Sequence, residues 1–231
     1  MGDPAATYVS GIERRPMKIR ERSFFTSSAT ALARAGVTPN AISIMGLVVG
    51  IAGGLVLAST VWPESDTVRR ALWLVAAVVV PLRGVFNILD GVVAVNENFA
   101  SPVGELYNEV PDRVSDIAIL IGAGYAVGGG AVLGVGAALL AVFVAYVRVQ
   151  ARVAGVAQDY CGPMAKPGRI FLIALTALWL GITPASLQLA WGPDGSWGLM
   201  AAALVAIMVG CVITAARRLL RASRFLRVST P

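Results

Sequence analysis

Between Asn87 and Asp116 the chain places six of its thirteen acidic residues, Asp90, Glu97, Glu105, Glu109, Asp112 and Asp116, in surroundings that are otherwise almost wholly apolar. A carboxylate at bilayer depth costs about 3 kcal/mol on insertion scales unless it is paired or holds a cation, so such a cluster points to function before packing. Glu97 fits a solvated loop charge. Asp90 does not, because apolar sequence leads into it from Ala71. The chain has no histidine, and its two cysteines, Cys161 and Cys211, lie far apart without ligand companions. Histidine-based acid/base chemistry and the usual zinc sites are therefore excluded, which leaves carboxylates as the catalytic groups. Their hard oxygens favour Mg²⁺ or Mn²⁺, an ion typically shared with substrate phosphates.

The elements that must position these residues are membrane helices. Of 231 residues, 57% are hydrophobic and only 14% charged, against about 25% charged in a soluble domain. Residues 1–16 lack apolar periodicity and read as a flexible tail, with no cleavable signal expected at the start. Residues 17–35 alternate Ile19, Phe24, Phe25, Ala29, Leu32 and Ala33 with Lys18, Arg20, Arg22 and Arg34, the pattern of an amphipathic helix lying against anionic headgroups. Gly36 caps it, and Thr38-Pro39-Asn40 opens the next helix. Six spans are expected, at 41–62, 71–94, 103–127, 131–149, 170–191 and 197–216. The expected fold is thus an all-α membrane protein, with a six-helix domain over 38–220 and a basic tail over 221–231.

Charge sets the orientation. With the N-terminus inside, the cytoplasmic segments hold six Lys or Arg, then four (Arg148, Arg152, Lys166, Arg169), then five, while Arg69 and Arg70 fall outside. Fifteen against two places both termini and the acidic cluster on the cytoplasmic side of an inner membrane. The net charge of +6 follows from topology and anionic lipid, and no nucleic-acid partner is needed. At 100° per residue, Glu105, Asn108, Glu109, Asp112 and Asp116 span an arc of about 100° on the third helix, while Asn87, Asp90 and Ala94 share a face of the second. Gly91 and Gly104 leave room beside these faces for close packing or a bulky ligand.

This spacing resembles the signature of the CDP-alcohol phosphotransferases, DxxDGxxAR followed some eight residues later by GxxxDxxxD. Here it reads Asn87-x-x-Asp90-Gly91-x-x-Ala94-Val95, then Gly104-x-x-x-Asn108-x-x-x-Asp112. The likeness extends to the basic first helix, TPNAIS at Thr38 to Ser43, and AYVRVQAR and GPMAKPGR around the fourth loop. It implies metal-assisted transfer from CDP-diacylglycerol or another CDP-alcohol to an acceptor alcohol, with Asp112 as ligand or base and Asp90 as a charged ligand. It also implies CDP binding by Asn40, Asn87, Asp90, Gly91, Ala94 and Gly104, phosphate or acceptor binding by Arg148, Arg152, Lys166 and Arg169, and a homodimer among membrane lipids.

The departures are equally specific. Asn87 and Asn108 stand where the family has aspartates that help hold a metal pair, and Val95 stands for the motif arginine. Amide oxygens bind hard cations less strongly than carboxylates. Glu109 and Glu105, on the same arc, are candidate replacement ligands beside Asn87, Asn108, Asp90 and Asp112. Two other readings stay open: a catalytically lapsed homologue that binds a CDP-lipid or a partner, and a small carboxylate-relay transporter, which the one-sided clustering of the acids disfavours.

Overall fold

A computed structural model describes residues 23–96, 102–157, 159–192 and 195–229. The expected tail at 1–16, the first part of the amphipathic helix at 17–22, Glu97, and the side chains of Ala94, Val95 and Glu105 lie outside what is described.

Among the described residues seven α-helices follow one another: α1 (Ser23–Arg34), α2 (Pro39–Ala58), α3 (Asp66–Asn96), α4 (Pro102–Tyr125), α5 (Ala131–Val153), α6 (Lys166–Ile182) and α7 (Leu199–Ser229). Among the described residues four helical stretches are long and apolar enough to cross a membrane, at Pro39–Val61, Asp66–Val93, Ala131–Val153 and Leu199–Val228. The chain is an integral membrane protein of helical architecture. Among the described residues two short 3₁₀ turns, Ser59–Val61 and Ala185–Leu187, and one strand pair stand between the α-helices. A two-residue antiparallel pair, β1 (Ala190–Trp191) with β2 (Trp197–Gly198), closes the turn before α7. The expected span 170–191 also stops at Ile182, because Thr183 precedes Pro184 and is extended at φ −94°, ψ 127°. At the other end α7 runs on to Ser229, past the expected end of its span at 216.

Local signals set the helix ends. Thr38 accepts a hydrogen bond from the Ala41 N–H at 3.2 Å, with Pro39 in the first turn, as an N-cap should. Gly36, at φ +76°, ends α1 in the conformation that favours glycine. α1 is not merely laid on a surface. Its Ala29 is buried with Ile42 of α2 and Val92 and Val93 of α3, so the helix docks beside the end of α3 that bears Asp90.

Close backbone contact ties the bundle together. α2 presents Gly46, Gly50 and Gly54 at four-residue spacing, one small face of a helix. A Cβ at Gly50 would come within 2.6 Å of the Ser115 Cβ, and one at Gly54 would collide with the Ala118 carbonyl of α4. Gly122 of α4 likewise lies against the Gly54 carbonyl. With side chains deleted on both surfaces, α2 and α4 approach closely, and the start of α4 is fixed relative to α2 and α3. α4 also contains Pro111, next to Asp112, and α3 contains Pro81, two residues before Arg83. Each removes a helical N–H close to the polar cluster.

Polar loops gather at opposite ends. Arg69 and Arg70 donate to carbonyls of Thr60, Pro63, Gly181 and Ile182, and Gly128 O receives the N–H groups of Gly198 and Ala201. Among the described residues the buried ion pairs, Arg83–Asp112, Lys166–Asp112 and Arg169–Asp116, lie toward the other end, where α6 begins. One control follows from the helix contact. Gly84 has no atom within 4 Å of an added Cβ, so Gly84→Ala should stabilise the protein by about 0.5–1 kcal/mol through helix propensity. Gly54→Ala should destabilise it by about 1–3 kcal/mol through overpacking. Thermal unfolding in detergent reads both, and equal shifts would contradict the close α2–α4 contact.

Candidate active site

Arg83, Asn87 and Asp90 recur on α3 at intervals of four and three residues, so they share one face, and Asn108 and Asp112 share a face of α4. The two faces meet. The Asn87 side-chain amide donates to Asn108 Oδ1 at 3.2 Å and to Asp112 Oδ1 at 3.0 Å. Arg83 forms a buried ion pair with the same Oδ1, and Lys166, the first residue of α6, brings its ammonium within 2.6 Å of Asp112 Oδ2. Asp112 of α4 is thus held from two other helices, α3 and α6, at once.

Asp90 is held differently. Ser43, in the first turn of α2, donates to Asp90 Oδ2 at 2.7 Å. Oδ1 is buried without a well-formed hydrogen bond among the described residues, with the Gly91 amide beside it, and the charges of Arg83 and Lys166 act on the carboxylate from nearby. Sequence reasoning missed both Ser43 and Arg83. The signals were present: a serine one helical turn after the capping sequence, and a lone arginine inside an apolar helix.

Further along α4, Asp116 pairs with Arg169 of α6 at 2.6 Å, both side chains less than a tenth exposed, and Arg169 also donates to the Met164 carbonyl at 2.7 Å. Glu109 receives Arg148 of α5 on both oxygens, at 2.6 and 2.7 Å, and Arg113 at 3.1 Å. Arg148 lies 5.4 Å from the Tyr160 ring, within cation–π range. Three of the predicted phosphate ligands, Arg148, Lys166 and Arg169, therefore surround the acidic face. Arg152 is one turn further along α5, and Asn40 lies in the first turn of α2, at the same end. Gly91 and Gly104 lie on the helical stretches that carry the motif.

Cysteine chemistry is disfavoured by the structure as well as by spacing. Cys161 donates its thiol to Asp159 Oδ2 at 3.0 Å, and burial first, then the hydrogen bond and charge of Asp159, push that thiol above its usual range. A thiol so shifted is a poor nucleophile at neutral pH.

Among the described residues, no three acids or cysteines converge as a metal cage. Glu109 is engaged by Arg148 and Arg113, so it does not complete a charged set with Asp90 and Asp112. What does converge is one carboxylate, Asp112, and two amides, Asn87 and Asn108, with the Asp90 carboxylate one turn along α3 from Asn87. An all-oxygen set with an under-satisfied, buried Asp90 Oδ1 fits one hard divalent ion better than a pair.

The CDP-alcohol phosphatidyltransferase family model matches residues 36–216, and the chain belongs to that family, whose members are transferases of phospholipid synthesis. It is 28% identical over 199 residues to phosphatidylinositol phosphate synthase of Mycobacteroides abscessus, covering 83% of this chain and 80% of that one. It is 26% identical over 152 residues to the inner membrane protein YnbA of Escherichia coli, covering 66% and 72%. Solved structures of Mycobacterium tuberculosis phosphatidylinositol phosphate synthase share the fold. The form with CDP-DAG bound superposes with a TM-score of 0.68 at 21% identity, over 87% of this chain and 94% of that one. The complex with manganese and citrate gives 0.65 at 22%, over 86% and 88%.

The Asp116–Arg169 pair yields a direct test. Asp116→Ala strands a buried guanidinium and should cost about 3–5 kcal/mol. Adding Arg169→Met should recover part of that loss, because no buried charge is then left alone. Thermal unfolding of the two singles and the double checks it, and a double mutant as unstable as the sum of the singles would remove the pair from the site's framework.

Proposed function

We propose that the protein transfers a phosphatidyl group, or another substituted phosphoryl group, from a CDP-alcohol to an acceptor alcohol and releases CMP. The observation that carries this is the hydrogen bonding of Asn87 on α3 to Asn108 and Asp112 on α4, three of the four motif positions, with Asp90 one turn from Asn87 on the same face of α3. α2 to α7 act as six spans, the site and both termini face the cytoplasm of an inner membrane, and the chain works as a homodimer. The relatives' bound CDP-DAG and manganese support this choice of donor and of a divalent ion.

Asp90, Asp112, Asn87 and Asn108 are the ion's ligands in this reading. When bound, an Mg²⁺ or Mn²⁺ ion supplies charge neutralisation for the diphosphate. Asp112 accepts the acceptor's hydroxyl proton as the new O–P bond forms and the P–O bond to CMP breaks, the electron pair leaving with CMP. Asn87 orients that carboxylate through its 3.0 Å hydrogen bond, and Ser43 fixes Asp90. Arg148 and Arg169, each anchored on an acid of α4, with Arg152 on the next turn, form a basic rim suited to an anionic group of the acceptor or donor.

The test is CMP release by purified protein given CDP-diacylglycerol, Mg²⁺ or Mn²⁺, and a panel of alcohols. Asp112→Asn, nearly isosteric, should lower turnover by about 10²–10⁴-fold, the range of general-base catalysis, measured at a temperature where the variant is folded, since Arg83 and Lys166 lose their carboxylate and stability falls as well. Unchanged turnover would remove Asp112 from that role. A wild type that binds CDP-diacylglycerol without releasing CMP would favour the lapsed-homologue reading, to which the cations already seated on Asp112 lend weight.

A further inference from the structure

Arg83 is almost completely buried, its side chain 2% exposed, yet only one of its nitrogens is used. Nη2 meets Asp112, while Nε and Nη1 are buried without a hydrogen-bond partner among the described residues. A guanidinium is a rigid fork of five donors, and idle N–H groups in an apolar interior are costly unless something arrives to take them. α2 packs closely against it: a Cβ on Gly46 would stand 3.0 Å from the Phe86 Cβ and 3.3 Å from Nη1, so glycine is what admits the guanidinium at this contact.

Lys166 presents the same anomaly from another helix. Its ammonium is drawn to Asp112 Oδ2 without hydrogen-bond alignment, and the positive charges of Arg83 and Lys166 oppose each other across that one carboxylate. Arg113 Nη2 lies 3.7 Å from the same Oδ2, so three cations crowd Asp112, with Asp90 and Asp116 as further acids acting on Arg83 and Lys166, while the amides of Asn87 and Asn108 add no negative charge.

We propose that Arg83 and Lys166 form a built-in anion clamp for the diphosphate of the CDP-alcohol donor, a proposal that rests on the transferase reading of this site. Arg83 offers Nη1, together with Nη2 once that nitrogen leaves Asp112, as a parallel pair to one phosphate, the geometry in which arginine binds phosphate best, and Lys166 meets the other as a point charge. The clamp takes over part of the neutralisation that a second divalent ion would supply. It also couples the substrates. Diphosphate oxygens draw both cations off Asp112, which frees its oxygens for the acceptor hydroxyl, so the base is uncovered when the donor is in place.

The experiment is calorimetric titration of CDP-diacylglycerol into the full-length protein in detergent, once with EDTA and once with Mn²⁺. The wild type should bind in EDTA within about tenfold of its affinity in Mn²⁺. Arg83→Gln should weaken binding in EDTA by tenfold or more and in Mn²⁺ by less, and Arg83→Lys should restore part of the loss. Lys166→Gln, at the more accessible edge of the site, gives the same pattern if Arg83→Gln does not fold. The clamp is overturned if the wild type binds only with Mn²⁺ and the variants match it there, an outcome that leaves the transferase reading standing. It is also overturned if the variants equal the wild type in EDTA. Absence of binding in both conditions overturns the transferase reading and the clamp together.

Discussion

The carboxylate of Asp112 is the point on which the structure depends. α3 reaches it through Arg83 and Asn87, α6 reaches it through Lys166, and α4 supplies it from the turn beside Pro111. Charges in an apolar bundle can be kept only in company, because each would cost several kcal/mol alone. One acid shared by two cations and an amide therefore fixes the relative placement of three helices. The same logic repeats at Asp116–Arg169 and Glu109–Arg148, so α4 is laced to α5 and α6 along one acidic face.

The apolar half of the design supports the polar half. Glycines on α2 and α4 let the two backbones touch, which brings Ser43 and the α2 N-terminus to Asp90 and sets the angle at which α4 delivers Asn108 and Asp112. A bulkier seam would move the motif positions apart by more than a hydrogen bond tolerates. Packing precision thus becomes electrostatic precision at the site.

Much of this was legible in the sequence. Helix starts at Thr38 and Ala131, the stop at Gly36, and the shared faces of Asn87 with Asp90 and of Asn108 with Asp112 follow from caps and a 3.6-residue period, both local properties. What escaped was long-range. Glu109 shared the arc of Asp112 and so resembled a replacement ligand, but Arg148, thirty-nine residues away, claims both of its oxygens. Arg83 was submerged in an apolar run, and only the fold shows that it turns inward to Asp112. The early end of α6 depended on one dipeptide, Thr183-Pro184, which an apolar count passes over.

The family pattern and the site's charges now bear on one another. Replacing two motif acids by Asn87 and Asn108 removes negative charge from a place where Arg83 and Lys166 add positive charge, so this member is arranged to neutralise a diphosphate largely with its own side chains. An experimental structure of the protein with CDP-diacylglycerol bound measures this most directly. The diphosphate should lie between α3 and α4, its oxygens within about 3 Å of Arg83 and Lys166, with both cations drawn away from Asp112. A diphosphate seated elsewhere, with Arg83 still paired to Asp112, would contradict it.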